Sequence, residues 1–241
     1  RAARVVSAYY GRFPLRHALV LVVPTNGERI GFSRTLGNGG GAIVAPVGRR
    51  IDAAALDRDW VMTHEMIHLG FPNLAREHSW LEEGIATYIE PLARARLGDL
   101  SANDVWRGLA RGLPNGLPRE GDRGLDRTPT WGRRYWGGAL FCLLADLEIR
   151  GRTDNARSLD DALRAILDAG GDVSVRWDIE QALAVGDRAT GLDVLTSLYE
   201  RMANAAVDVD LDALFMRLGV TRSGRDVRFD DLAPLAAIRR S

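Results

Sequence analysis

The chain has 241 residues, enough to bury a substantial core as one large domain or two small ones. Its 32 basic and 32 acidic residues cancel, which argues against a nucleic-acid-binding surface, and no apolar run reaches the length of a membrane span. The single cysteine, Cys142, lies in the apolar stretch Ala139–Leu147, which predicts a core residue and excludes an intrachain disulfide. The sequence contains no signal peptide, and because it starts at Arg1 without a methionine, we expect a processed product or a fragment.

The first 47 residues predict one helix and three strands. Helical spacing covers Ala2–Tyr10. The continuous apolar run Ala18–Val23 predicts a buried strand, and Arg29–Leu36 predicts a second strand after a turn. The glycine-rich segment Gly37–Gly41 then leads into a third strand, Ala42–Val47. This segment is no phosphate loop, because it precedes a strand and lacks the lysine and serine or threonine of that motif.

The predicted helix Asp57–Leu69 contains His64-Glu65-Met66-Ile67-His68. Two histidines four residues apart lie on one helix face, so both imidazoles can point at one cation. Neutral imidazole suits zinc, and a hydrolytic zinc site has three protein ligands and an open position for water. Glu65 is well placed to hold that water. The alternative is an exposed histidine pair on an ordinary amphipathic helix.

A second helix is predicted over Ser79–Leu97, with Ser79 and Glu82 forming a capping box. Glu83 then falls in the first helical turn, where its carboxylate can face the histidine pair as a third ligand. The alternative is an ordinary surface glutamate.

The chain after the second helix predicts a long loop followed by amphipathic helices. The loop, Gly112–Trp131, is expected to border the cleft, because long loops are usually functional or disordered. Arg133 and Arg134 follow it; a solvated pair is the default, and contact with a substrate carboxylate is the alternative. The remaining predicted helices are Ser158–Ala169, Ile179–Val185, Gly191–Ala203 and Leu211–Leu218, with a short strand or loop at Val227–Ala233.

The histidine motif and Trp80-Leu81-Glu82-Glu83-Gly84 together resemble the gluzincin zinc peptidases, in which the glutamate before the glycine is the third zinc ligand. The resemblance implies that His64, His68 and Glu83 bind Zn²⁺ and that Glu65 is the general base. It also implies an α+β fold of the thermolysin-like gluzincin type, with a small mixed sheet followed by a mainly helical body. We expect residues 1–130 to supply the sheet and zinc-binding helices, and residues 131–241 the helical C-terminal half of the same unit.

The stretch Tyr135–Leu167 is similar to the glycyl aminopeptidase family of gluzincins. In that family a tyrosine just ahead of this helix donates its hydroxyl to the tetrahedral intermediate, and Tyr135 matches it. The alternative for Tyr135 is an aromatic side chain that packs at a helix start.

The resemblance also implies that an edge strand just before the zinc helix pairs with the substrate backbone. We place this contact at Gly40, Gly41 and Ala42, where small residues allow close approach; a plain hairpin connection is the alternative. Related aminopeptidases carry a glutamate there that holds the free amino terminus, whereas Gly39–Pro46 contains no carboxylate. An endopeptidase, or an amine anchor elsewhere in the chain, therefore fits better.

The function predicted from these features is a zinc metallopeptidase that acts on peptide or protein substrates. Two alternatives stay open: a zinc hydrolase of another class, and a zinc-containing module that binds peptides without turnover. The resemblance favours the periplasm or the cell exterior, and the sequence leaves the oligomeric state open.

Overall fold

A computed structural model describes all residues from Arg1 to Ser241. It has a small mixed sheet near the N-terminus and a larger helical body, as predicted. The strands are β1 (Ala18–Thr25), β2 (Arg34–Leu36), β3 (Gly41–Gly48), β4 (Val220–Ser223) and β5 (Asp226–Phe229). The helices are α1 (Ala2–Tyr10), α2 (Ala53–Arg58), α3 (Val61–His68), α4 (Ser79–Arg96), α5 (Ala102–Gly112), α6 (Gly138–Arg152), α7 (Leu159–Asp168), α8 (Ile179–Thr190), α9 (Val194–Met202), α10 (Leu211–Leu218) and α11 (Ala236–Arg240).

The N-terminal sheet has the strand order β1-β3-β2. Strand β1 runs parallel to β3, and β2 runs antiparallel to it through a glycine-rich hairpin. The predicted second strand, Arg29–Leu36, is mostly irregular, because only Arg34–Leu36 pairs continuously and Ile30 makes a single bridge to Val47. Strand β3 is therefore central, and β2 is the edge strand on the side of α3, which it contacts.

The prediction that Ala18–Val23 is buried was wrong. Strand β1 lies at the other end of the sheet, and the side chains on both of its faces are largely exposed. Leu19 is 64% exposed and Val22 is 54% exposed. A continuous apolar run is typical of a strand covered on both faces, but this strand is covered on neither.

Two helix starts differ from the prediction. Helix α3 begins at Val61 rather than at Asp57, because Asp59 adopts an extended backbone with ψ of 136° and ends α2. The capping box at Ser79 does not form: Ser79 already lies inside α4, and no side chain caps that helix. Glu82 instead accepts a hydrogen bond from the backbone N–H of Leu74, in the loop before the helix.

Helices α4 and α6 cross with their backbones in contact. A Cβ atom on Gly84 would lie 2.3 Å from the carbonyl carbon of Gly138, and one on Gly138 would lie 2.0 Å from the carbonyl oxygen of Trp80. No larger residue fits at either position without moving a helix. This crossing brings the segment before α6 close to the first two turns of α4, where Glu83 lies.

The segment before α6 is one turn of π-helix, Arg133–Gly137. Contacts with the preceding long loop hold it in place. Arg133 is only 3% exposed, and its Nε atom lies 2.8 Å from Oδ2 of Asp122. The expected solvated arginine pair is therefore wrong for Arg133, because the loop folds over it. Trp136 packs against Gly112, where a side chain would collide with the indole ring.

The predicted helices after α6 are present, whereas helices α5 and α11 were not predicted. Cys142 is a free, buried core residue. The C-terminal region contains a hairpin of β4 and β5, of which the sequence predicted at most the second strand. No helix combines the length and apolar character that crossing a membrane requires.

Candidate metal centre and cleft

Helices α3 and α4 bring His64, His68 and Glu83 together. Oε2 of Glu83 lies 3.3 Å from Nε2 of His64 and 3.5 Å from Nε2 of His68. The four-residue spacing puts both imidazoles on one face of α3, with ring centroids 5.1 Å apart. Glu83 reaches them from the first two turns of α4, so the local helix geometry accounts for the cluster.

This donor set fits a zinc ion. Tetrahedral zinc with bonds of about 2.0–2.1 Å places its ligand atoms roughly 3.3 Å apart. The two imidazole-to-carboxylate distances, 3.3 and 3.5 Å, are close to that value. Two nitrogens and one oxygen also leave the fourth position open, as in catalytic rather than structural zinc sites. Nowhere else in the chain do three such side chains converge.

Burial and mutual contact determine the charge of these ligands. Burial lowers the pKa of His64, which favours the neutral imidazole that a metal needs. Burial acts to raise the pKa of Glu83, but hydrogen bonds from His64 and His68 outweigh it and hold that pKa far below its usual range. Burial acts to lower the pKa of His68, yet the Glu83 contact and nearby carboxylates raise it overall.

Glu65 is buried beside the ligands and is held by strand β2. The hydroxyl oxygen of Thr35 lies 2.8 Å from the Oε2 atom of Glu65 and 2.8 Å from its backbone carbonyl oxygen. The single hydroxyl proton is donated to one of these two acceptors at a time, and either hydrogen bond links Glu65 to strand β2. Thr35 was not predicted as a site residue, because its position depends on the pairing of β2 with β3.

Tyr135 lies over the metal ligands, in the middle of the π-helical turn. Its ring stacks on His64 with centroids 6.2 Å apart and on Trp131 with centroids 6.0 Å apart. Burial, together with the charge of Glu83, raises the pKa of Tyr135 to about 12. The phenol therefore keeps its proton at neutral pH and is able to donate a hydrogen bond. Single π-helical turns of this kind often occur at functional sites.

The cleft extends to both sides of Glu65 and Tyr135. One cavity of about 310 Å³ lies toward the C-terminal end of α3, and a groove of about 550 Å³ lies toward its N-terminal end. The cavity is lined by Phe32, Ser33, Arg34, Thr35, Leu36, Glu65, His68, Phe71, Asn73, Glu82, Glu83, Arg134, Tyr135 and Val173. The groove is lined by Arg29–Ser33, Ala55, Arg58–Val61, His64, Glu65 and Tyr135.

The predicted substrate contact at Gly40, Gly41 and Ala42 was wrong. Ala42 pairs with Leu19 on one side and with Leu36 on the other, so neither of its edges is free for a peptide. Gly41 packs against buried side chains, and Gly40 lies in the hairpin connection outside the cavity. The strand that borders the cavity is β2, because it is inserted between β3 and the cleft.

The long loop contributes less to the cleft than expected. Asp126 anchors this loop to the helical body. Its carboxylate lies 2.9 Å from Nδ1 of His78 and accepts hydrogen bonds from Trp80 and Tyr199. Neither the cavity nor the groove is lined by residues of this loop. Its one contact with the site is the stacking of Trp131 on Tyr135.

Comparison with known proteins identifies the fold. No protein-family model and no curated protein sequence matches the chain. An M1 zinc metallopeptidase from Deinococcus radiodurans superposes with a TM-score of 0.57 at 20% identity, covering 88% of this chain and 44% of that one. An aminopeptidase N family protein from Idiomarina loihiensis gives a TM-score of 0.66 at 15% identity, covering 91% of this chain and 44% of that one.

A mutant of the Deinococcus radiodurans enzyme, bound to the substrate Tyr-Ser-Ala, gives a TM-score of 0.55 at 19% identity, covering 87% of this chain and 44% of that one. The chain therefore has the fold of part of an M1 zinc metallopeptidase and spans less than half the length of these proteins. The predicted likeness to zinc peptidases is confirmed at the level of the fold. The preference for an endopeptidase gains no support, since one neighbour is named as an aminopeptidase N family protein.

Proposed function

We propose that this chain is a zinc-dependent peptidase. The observation that carries the proposal is the convergence of His64, His68 and Glu83 at distances suited to zinc, with Glu65 and Tyr135 on the same cleft. The fold likeness to zinc metallopeptidases supports it. An exposed histidine pair is a poor alternative, because His64 is buried and in contact with Glu83.

Bound zinc supplies a Lewis acid that polarises a carbonyl oxygen and lowers the pKa of a water molecule toward about 7. Glu65 takes a proton from the attacking water and passes it to the leaving nitrogen, as a general base and then a general acid. Thr35 holds the Glu65 carboxylate in place through its hydroxyl group. The Tyr135 hydroxyl, protonated at neutral pH, donates a hydrogen bond to the developing oxyanion.

Strand β2 is the element that receives the peptide. It pairs with β3 along one edge only, so its other edge is able to hydrogen-bond an extended substrate backbone. Thr35 on this strand contacts Glu65, so a peptide paired with β2 lies beside the general base. This role replaces the one that the glycine-rich connection was expected to have.

One digestion tests the proposal. The protein is loaded with zinc and incubated with a mixture of synthetic peptides with free and acetylated amino ends, and the products are read by mass spectrometry. We expect cleavage that a chelator abolishes and added zinc restores, and none with a Glu65→Gln variant prepared identically. Stoichiometric zinc with no cleaved peptide would favour a binding module, and turnover of esters alone would favour another class of zinc hydrolase.

A further inference from the structure

The groove at the N-terminal end of α3 differs in chemistry from the cavity at the other end. Most of the groove wall is apolar surface, whereas most of the cavity wall is polar. The one carboxylate of the groove besides Glu65 belongs to Asp59, and it accepts the backbone N–H of Met62 at the start of α3. Arg29 and Arg58 are exposed to solvent. The groove therefore offers an entering group mainly apolar contacts.

Two exposed aromatic rings line the groove. Phe32 is 72% exposed and Trp60 is 52% exposed, and only two other aromatic side chains of the chain, Trp131 and Phe229, are exposed. The guanidinium of Arg34 lies over the ring of Phe32, 5.6 Å from its centroid, and helps to hold it. Single exposed apolar side chains are ordinary, but two large rings on one concave surface indicate an interaction site.

The aromatic wall of the groove is continuous with the metal centre. The ring of Trp60 meets the imidazole of His64 edge-on with centroids 5.6 Å apart, and His64 in turn stacks on Tyr135. Phe32 lines both the groove and the cavity, as do Glu65 and Tyr135. A side chain in contact with Phe32 and Trp60 therefore belongs to a substrate residue beside the bond that is cleaved.

The size and surface of the groove favour a large apolar side chain. Its volume of about 550 Å³ lies within the range of roughly 300–1,000 Å³ found for sites that hold small organic ligands, so an aromatic side chain fits. Such a side chain removes apolar surface from water on itself and on both rings, and a third ring gains ring–ring contacts as well. A charged side chain would lose hydration against this wall without a buried partner.

We propose that Phe32 and Trp60 select substrates that carry an aromatic or large aliphatic side chain next to the cleaved bond, and that the groove holds this side chain. The inference rests on the proposed peptidase function and adds the side-chain preference of that site. Phe32 comes just before β2, the strand proposed to receive the peptide backbone. Backbone pairing with β2 and side-chain contact with Phe32 therefore act on the same stretch of substrate.

The competing explanation is that the two rings are exposed without a role in binding. Phe32→Ala separates the two explanations, because this side chain is largely exposed and its removal leaves no cavity in the core. Phe229→Ala is the matched control, since Phe229 is also an exposed phenylalanine and lines neither the groove nor the cavity. Trp60→Ala is the second variant, with its zinc content checked because Trp60 touches His64.

The first measurement is kcat/KM for peptides that differ only in the residues flanking the cleaved bond, which are phenylalanine, leucine, alanine or aspartate. We expect the unaltered protein and Phe229→Ala to prefer phenylalanine and leucine over alanine and aspartate. In Phe32→Ala and in Trp60→Ala this preference falls by about tenfold, as expected for the loss of one apolar wall of a binding site. No preference for large apolar side chains, or a preference that persists unchanged in Phe32→Ala, would overturn the proposal.

The second measurement is calorimetric binding of the phenylalanine and alanine peptides to zinc-loaded Glu65→Gln, with and without Phe32→Ala. It keeps the two proposals distinct. Tighter binding of the phenylalanine peptide that needs Phe32, in a protein whose unaltered form cleaves neither peptide, would refute peptidase activity and retain the groove as the side-chain site. Cleavage with no contribution of Phe32 to binding or preference would do the reverse.

Discussion

Helices α3 and α4 and strand β2 border the same cleft, but they contribute different things to it. The helices supply ionisable side chains: the proposed ligand set His64, His68 and Glu83, and the proposed general base Glu65. Strand β2 supplies a hydroxyl group, from Thr35, and a free backbone edge. In the proposed mechanism each helical residue takes part in the reaction directly, whereas the strand positions one of those residues and the substrate.

These two kinds of contribution predict mutational effects of different size. Removing a proton-transfer group or an oxyanion donor eliminates a chemical step, and the loss is large. Removing a positioning contact leaves every reacting group present but less well oriented, and the loss is about that of one hydrogen bond. Three substitutions test this ranking.

Glu65→Gln has the largest expected effect. The amide keeps the shape of the side chain but cannot take a proton, so we expect kcat to fall by roughly a hundredfold to ten-thousandfold. Zinc content, measured by elemental analysis, stays at that of the unaltered protein because Glu65 is not a ligand. Glu77→Gln serves as the control, and activity near normal in Glu65→Gln would remove the residue from the mechanism.

Tyr135→Phe has the next largest expected effect. The ring still stacks on His64, so the fold and the zinc content are retained while the hydroxyl donor is lost. One oxyanion donor is worth about 3 kcal/mol, which predicts a fall in kcat on the order of a hundredfold. Tyr199→Phe removes a hydroxyl group that bonds to Asp126 instead, and should leave kcat unchanged. Equal rates for the two variants would mean that Tyr135 only packs.

Thr35→Val has the smallest expected effect. The substitution preserves the shape of the side chain and removes its bond to Glu65, so we expect kcat to fall by about tenfold with little change in KM. Thr25→Val is the control, since the Thr25 side chain makes no hydrogen bond. A loss as large as that of Glu65→Gln would contradict the division between helices and strand.

The division between the helices and strand β2 also explains which site residues could be predicted from the sequence. His64, His68 and Glu83 converge because of spacings within one helix and at the start of the next, and such spacings are local. Tyr135 was placed by resemblance, and the close crossing of Gly84 and Gly138 shows why it lies near Glu83.

The roles that were mispredicted depend on how neighbouring elements pack against one another. The prediction at Gly40–Ala42 failed because β3 is paired on both edges, with β1 and with β2, and the structure shows the plain hairpin connection that was the alternative. The capping box at Ser79 failed because the Leu74 N–H is a competing donor for Glu82. The apolar run of β1 indicates a strand correctly but says nothing about whether it is covered.

The most direct test of the metal centre is the zinc content of the dialysed protein and of His68→Ala, measured by elemental analysis beside His78→Ala as a control. His78 is bound to Asp126, away from the cluster. We predict one zinc ion per chain for the unaltered protein and for His78→Ala, and a large loss for His68→Ala. Substoichiometric zinc in the unaltered protein, or full retention in His68→Ala, would contradict the ligand set on which every proposed role depends.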